Sequence, residues 1–292
     1  MRLFALDSYS VWADAAVKAA LSRGWQAKRI KRGSEVDGEG YGFIRLSMEP
    51  PELKLNRQDY AEMSKRLTLV QDQTQIDVYE NKSAQFARWF DWMPDTWRFT
   101  DRGAAEAFLQ TAEYPIVSKA DEGASSVNVR ILKDRKSACA HLAEIFGPGI
   151  RMQRNHVQRD YILLQRCIQH TITYRVNILG GARAIFLRSN YPDRMVAQTG
   201  NVVPAMEMTP ELESLLDYAD RFALVARTNW CALDILKDGD QWRLLETSQG
   251  WPWPSPGTCN EGTVFRTQKP RRWIEMFDVM LDEIERGAWS ST

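Results

Sequence analysis

The chain has 292 residues, 44% hydrophobic and 11% aromatic, enough to bury a sizeable core, and its 38 basic residues balance 38 acidic ones. A net charge of +0 excludes a global field that would recruit nucleic acid or an anionic membrane, so affinity has to come from a local site. The four cysteines (Cys139, Cys167, Cys231 and Cys259) form no CxxC pair, which argues against zinc and against a disulfide framework.

At the N-terminus the apolar run Leu3 to Leu6 is too short for a signal-peptide core. No later run approaches the roughly 18 apolar residues of a membrane span, so a soluble cytoplasmic protein is expected. "RLFAL" (2–6) predicts a buried strand, and "VWADAAVKAALSRG" (11–24) a helix capped by Ser10 and stopped by Gly24. A strand followed by a helix points to an α/β unit. Gly33, Gly38, Gly40, Gly42 and the pair Pro50-Pro51 mark loops, and one more strand or helix after "LTLVQ" closes this unit near residue 78.

"YENKSAQFARWF" (79–90) predicts a helix with Phe86, Trp89 and Phe90 on one side, and Thr100 is placed to cap a second helix in "TDRGAAEAFLQTA". "YPIVSKA" is an apolar run ending in Lys119, followed by the small, hydroxyl-rich loop "DEGASS" and the alternating stretch "VNVRIL". Asp134 caps a helix over 135–146 that Gly147 and Pro148 end, and "YILLQRCI" (161–168) is again a strand. Two hairpins follow, one turning on Gly180-Gly181 and one on "KDGD" (237–240). Between them Leu212, Leu215, Leu216, Ala219, Phe222 and Val225 recur at helical spacing. The closing stretch "RRWIEMFDVMLDEIERG" carries a second such stripe of Ile274, Phe277, Leu281 and Ile284.

The densest basic run joins Arg23, Lys28, Arg29, Lys31 and Arg32 and reads either as a solvated face or as a site for an anionic acceptor. Of the eleven tryptophans, Trp12, Trp25, Trp89, Trp92 and Trp97 fall in the N-terminal half, where core packing is the leading role.

The chemistry-bearing residues cluster at strand ends. Asp234 and Glu246 lie on the two arms of one hairpin. A turn centred within 237–240 sets Asp234 opposite a residue near Arg243 and displaces Glu246 along the sheet, unless a bulge adjusts the register. Two carboxylates on one sheet face repel unless a cation lies between them, and magnesium with its hard oxygen ligands suits that place. A loop of Gly123, Ala124, Ser125 and Ser126 lets backbone N–H groups and hydroxyls approach phosphates, and Lys119 and Arg188 add positive charge.

This order of motifs resembles the ATP-grasp superfamily over about residues 79 to 260. "SKADEGASSVNV" is similar to the lysine-and-serine-loop segment of D-alanine:D-alanine ligases. "YILLQRCI", "TYRVNILGGARAIFLRSN" and "LDILKDGDQWRLLETSQGW" resemble the ribosomal-protein glutamate ligase and glutathione synthetase branch. The resemblance implies two α+β subdomains clasping ATP, preceded by a small N-terminal α/β domain that helps bind substrate. The boundaries it implies are 1–78 for that first domain and 79–292 for the ATP-grasp part, divided into a lid and hinge (79–168) and a metal-binding part (169–292).

Carried over by position, the resemblance makes Lys82 and Lys119 phosphate ligands and lays the loop of Glu122, Gly123, Ser125 and Ser126 over the phosphates. Gln165, Arg166, Cys167 and Ile168 become the adenine-holding hinge. Arg188 faces the γ-phosphate, Arg175 matches an arginine of the glutamate-ligase branch, and Asp234 and Glu246 bind magnesium or manganese. Two positions depart from the pattern. Ser248 stands where the family places a metal-binding asparagine, leaving Ser248 through water or Gln249 to serve, and Thr173 replaces the acidic residue that holds the ribose. Trp251 and Trp253 would wall the acceptor site.

The implied activity is ATP-dependent ligation of a carboxylate to an amine, small molecules or peptides, through an acyl phosphate. A kinase acting on a hydroxyl and a nucleotide-binding module without turnover are the competing readings. No nucleic-acid or membrane partner is expected, and a homodimer is compatible with the sequence.

Overall fold

Leu3, Phe4, Ala5 and Leu6 are apolar without alternation, as a strand covered on both faces requires, and all four are buried. The computed structural model, which describes residues 1–8, 10–121, 129–152, 157–190, 197–249, 260–267 and 271–289, makes this run the heart of a parallel sheet. Its elements are β1 (Arg2–Leu6), α1 (Ser10–Ser22), β2 (Gln26–Ile30), β3 (Gly40–Phe43), α2 (Pro50–Met63) and β4 (Leu67–Leu69), with strand order β2-β1-β3-β4. Helix α1 ends where Gly24, at a φ of +76°, turns the chain so that the Trp25 N–H reaches the Ala20 carbonyl.

The chain continues through α3 (Gln73–Val78) and α4 (Lys82–Trp89) into a second unit of β5 (Thr96–Phe99), α5 (Arg102–Thr111), β6 (Ile116–Lys119), β7 (Val129–Leu132), α6 (Arg135–Ile145), the separate short pair β8 (Ile150–Arg151) and β9 (Val157–Gln158), and β10 (Ile162–Arg166), with β5, β6, β7 and β10 in one antiparallel sheet. The strand order is β5-β10-β6-β7, and Ala105, Leu109, Ala138, Leu142 and Ile145 from the two helices pack on Ile116, Leu132, Ile162 and Leu164.

Among the described residues the third sheet has seven strands. β11 (Ile172–Leu179), β12 (Ala182–Asn190), β13 (Ala197–Pro204), α7 (Pro210–Ala226), β14 (Trp230–Asp238), β15 (Gln241–Ser248), β16 (Asn260–Phe265), β17 (Arg271–Ile274) and α8 (Met276–Glu285) follow in sequence. The order runs β15-β14-β11-β12-β16-β17, with β13 also paired to β12. On one face Val176, Ile178, Ile185, Leu233 and Leu244 meet the α7 residues Leu215, Leu216, Ala219 and Phe222. On the other, Leu179, Ala184 and Phe186 share a core with α8 and with Ala13, Ala16, Phe43 and Trp25 of the first unit, so α8 ties the N-terminal sheet to the large one. Among the described residues no helix is long and apolar enough to cross a membrane.

Several local expectations change. Asp101, not Thr100, caps α5, because its carboxylate accepts from the Ala104 N–H at 2.7 Å and so starts the helix one residue later. Phe90 ends α4 58% exposed, beyond the buried Trp89. On α7 the stripe closes on Ala223 and Ala226, and Val225 faces solvent at 63% exposure. Ile274 belongs to a strand, since the chain pairs with β16 before α8 begins.

Four of the five residues of the basic run pair with carboxylates of the same chain. Arg23 pairs with Asp278 and Asp282, Lys28 with Asp37, Arg29 with Asp14, and Arg32 with Asp59. These pairings favour the solvated face over a site for an anionic acceptor. The tryptophans likewise pack internally: Trp12 on Phe277, Trp25 on Tyr41, Trp89 and Trp92 on Phe222, and Trp97 on Phe108.

Phe277 is fully buried and meets Phe43 edge-on at 5.0 Å and Trp12 at 6.3 Å, joining three elements. Phe277→Ala is therefore expected to lower unfolding free energy by about 3–5 kcal/mol in a denaturant titration.

Candidate active site

The site is built on the face of the large sheet opposite α7. Asp238 and Gln241 close the β14–β15 hairpin, with Gly239 (φ +60°) and Asp240 in the turn, so Leu236 opposes Arg243 and Ile235 opposes Leu244. Continued without change, this ladder would pair Asp234 with Leu245. The register instead shifts after Ile235, Leu245 becomes the extra residue of a bulge, and Glu246 lands directly opposite Asp234. The sequence expectation of Asp234 opposite a residue near Arg243 is corrected: the turn is centred further along the chain, and the bulge supplies the remaining residue. Without the bulge the side-chain phase would carry Glu246 to the α7 face, where Leu233 and Leu244 lie in the apolar core.

Arg175 of β11 stands opposite Asp234 on its other side, so Arg175, Asp234 and Glu246 form one row across three strands. The Arg175 Nε and Nη2 each donate to a carboxylate oxygen of Asp234 at 2.6 Å, a bidentate pair. Arg188 of β12 adds Nη1 at 3.4 Å from Asp234 Oδ2. Lys82, at the start of α4, places Nζ 3.4 Å from Glu246 Oε2 with only 11% of its side chain exposed. Lys119, the last residue of β6, donates to the carbonyl of Leu245 at 3.4 Å, the peptide the bulge releases from the ladder.

Burial pushes the Asp234 carboxyl up, but the Arg175 charge and its two hydrogen bonds, backed by Arg188, outweigh it and hold the group below the usual carboxylate range. For Lys119 burial wins: although Glu246 and Asp234 favour its charge, the ammonium is pushed down to about 8 from an ordinary 10.5, with Lys82 adding to the fall. Among the described residues, four basic side chains (Lys82, Lys119, Arg175 and Arg188) thus face two carboxylates, Asp234 and Glu246, an imbalance toward positive charge in a mostly buried place.

The expected hinge lies on β10 and just beyond it. Gln165 is buried, its Nε2 donating to Thr96 Oγ1 at 2.8 Å; the Arg166 side chain pairs with Asp95 and Asp238; burial raises the Cys167 thiol; and the Ile168 carbonyl accepts from His170 Nδ1 at 2.7 Å. Thr173 is buried opposite Arg188. The Ser248 hydroxyl, on the same face as Glu246, is buried with no hydrogen-bond partner among the described residues. Gln249 does not reach in, because its Oε1 accepts from the Leu46 N–H at 3.3 Å in the N-terminal unit. Glu122, Gly123, Ser125, Ser126, Trp251 and Trp253 lie outside the described residues.

No described group of three or more His, Cys, Asp or Glu side chains is gathered as for a metal. The donors that are present still suit a hard divalent cation. Two carboxylates opposed in register and an unpartnered hydroxyl offer oxygen only, and Asp234 bonded by Arg175 keeps lone pairs to spare.

Two residues that local patterns do not single out belong here. The Leu245 carbonyl becomes available only through the bulge, which no local motif marks. Asp121, quoted in the loop "DEGASS", accepts from Ser83 N–H at 2.9 Å and Tyr161 O–H at 2.7 Å and so joins the strand of Lys119 to the helix of Lys82.

By sequence, no protein-family model and no curated protein matches the chain. Solved structures do. A RimK domain ATP-grasp protein from Sphaerobacter thermophilus is 15% identical, with a TM-score of 0.57 over 85% of this chain and 91% of that one. The macrocyclase MdnC from Microcystis aeruginosa, bound with its precursor peptide MdnA, is 13% identical with a TM-score of 0.58 over 86% and 92%. The ligase PsnB, complexed with minimal precursor, magnesium and ADP, is 11% identical with a TM-score of 0.56 over 85% and 88%. The chain has the ATP-grasp fold. Within this ATP-grasp structure the six charged side chains meet where the four-stranded sheet, through Lys119, touches the bulged strand of the seven-stranded one.

The depressed Lys119 ammonium has a consequence for stability. Between about 8 and 10.5 the unfolded chain binds a proton that the folded chain has released, so folding stability rises with pH through that window and carries the full penalty below it. Denaturation of the unliganded protein followed against pH is expected to show that rise, and Lys119→Met to remove it.

Proposed function

We propose that the chain is an ATP-dependent ligase that joins a carboxylate to an amine through an acyl phosphate, with release of ADP and phosphate. The observation that carries the reading is the buried excess of positive charge around Asp234 and Glu246. Gathering like charges in a buried place is costly, and a nucleoside triphosphate with its divalent cation would supply negative charge to such a lysine- and arginine-rich site.

In this reading Lys82, Lys119 and Arg188 take the phosphates, and Lys119 and Arg188 stabilise the transferring phosphoryl group by charge without large movement. Arg175, which commits two N–H groups to Asp234, holds that carboxylate in the row rather than touching substrate. Asp234, Glu246 and Ser248 would hold magnesium, which supplies neutralisation of the phosphate oxygens when bound. Backbone groups of Gln165 to Ile168 would seat the adenine. The division into an N-terminal domain (1–78), a lid and hinge (79–168) and a metal-binding part (169–292) belongs to the same reading.

The magnesium and ADP bound to PsnB support ATP and magnesium as cofactors, and the precursors bound to PsnB and MdnC support including peptides among the substrates. The test is ADP release from ATP and magnesium with a panel of amino acids and peptides carrying carboxylates and amines. Release stimulated by an acceptor, with an amide product, is the expected result. A phosphorylated product without an amine would identify a kinase, and tight ATP binding with no stimulated release a binding module. Glu246→Gln is expected to lower kcat by about 100-fold or more while the fold is retained, read by steady-state ADP release and circular dichroism.

A further inference from the structure

Among the described residues β15 is an edge strand, so the N–H and C=O that Thr247 turns away from β14 pair with no strand there. They meet one side chain. Gln85 of α4, itself buried, accepts from the Thr247 N–H through Oε1 at 2.9 Å and donates to the Thr247 carbonyl through Nε2 at 3.0 Å. A primary amide presents the same acceptor and donor as a peptide bond, so Gln85 acts as one residue of a missing neighbouring strand. A further bond from Nε2 to the Val78 carbonyl at 3.3 Å fixes the amide from behind.

Thr247 lies between Glu246 and Ser248, and Lys82 precedes Gln85 by one helical turn on the same side of α4. One pair of bonds therefore joins the strand that carries Glu246 and Ser248 to the helix whose Lys82 Nζ lies 3.4 Å from Glu246. The first turn of α4 is pinned as well, since the Lys82 N–H bonds to the Asp121 carbonyl at 3.3 Å and the Ser83 N–H to Asp121 Oδ1 at 2.9 Å. We propose that Gln85 is a positioning residue for the nucleotide site, aligning Lys82 and Glu246 through its double bond to the Thr247 backbone. The role in turnover rests on the ligase reading above.

The test uses Gln85→Met and Gln85→Glu in the full chain. Met keeps the volume and loses both hydrogen bonds. Glu is isosteric; ionised, it has no donor for the Thr247 carbonyl and sets a second negative charge near Glu246, whereas protonated it regains one donor and one acceptor. Burial raises the pKa of such a carboxyl, so lowering the pH should restore the ladder. Q85M is expected to lose about 10- to 100-fold in kcat or magnesium-dependent ATP affinity with its circular dichroism unchanged. For Q85E, the deficit relative to wild type measured at each pH is expected to shrink as pH falls from about 8 to about 5.5. A wild-type-like Q85M, or a Q85E deficit that is flat with pH, overturns the proposal, and Q85E decides alone where Q85M fails to fold. Wild-type protein that neither binds ATP with magnesium nor releases ADP sinks the ligase reading instead. Amide exchange of Thr247 without nucleotide then still decides the placement: faster exchange in the variants, reversed for Q85E at low pH relative to wild type, supports it, and unchanged exchange refutes it.

Discussion

A single extra residue, Leu245, decides what the far half of β15 does. Side chains on a strand alternate with period two, so the residue count between the apolar Leu244 and the carboxylate Glu246 would send both to the same face. The bulge breaks that parity. Leu244 stays in the core beneath α7 while Glu246 turns to the opposite face beside Asp234, and the carbonyl released at Leu245 becomes an acceptor for Lys119. Apolar core, acidic pair and lysine from the other sheet are thus reconciled by one irregularity.

Around that point the structure sets charge against charge with little slack. Asp234 is 95% removed from solvent, and its ionised state depends on Arg175, whose fork matches the carboxylate in two short bonds. Glu246 is wetter and has a point-charge partner in Lys82. The two carboxylates of one row are therefore unequal: one is held by a planar guanidinium in two short bonds, the other by a single ammonium at 3.4 Å.

How much of this was legible in the sequence follows from how local each feature is. The hairpins at Gly180-Gly181 and at 237–240, the Asp134 cap and the apolar stripe of α7 are short-range patterns, and the α+β ATP-grasp fold was accessible from the order of such segments. The errors are of two kinds. Phe90 and Val225 lie at helix ends, where periodicity no longer says which side faces the core, and Ile274 ends a strand just ahead of the last helix. The pairing of Asp234 with Glu246 depends on where the turn is centred and on a bulge, neither of which is marked by composition. Among the candidate site residues, chemical type was readable; that Lys82 meets Glu246, or that Gln249 turns to Leu46, depends on contacts between segments far apart in the chain.

Arg166 carries a different consequence, one of ionic strength. Its guanidinium bridges Asp95, at the foot of the four-stranded sheet, to Asp238 at the tip of the β14–β15 hairpin, and its side chain is 36% exposed. Ion pairs this open to solvent contribute on the order of 1 kcal/mol or less and weaken as salt screens them. The Arg175–Asp234 pair, sealed inside the large sheet, lies beyond that screening. Added salt therefore weakens this link between the two sheets while leaving the anchoring of Asp234 intact, so the two ion pairs respond separately to the same solvent.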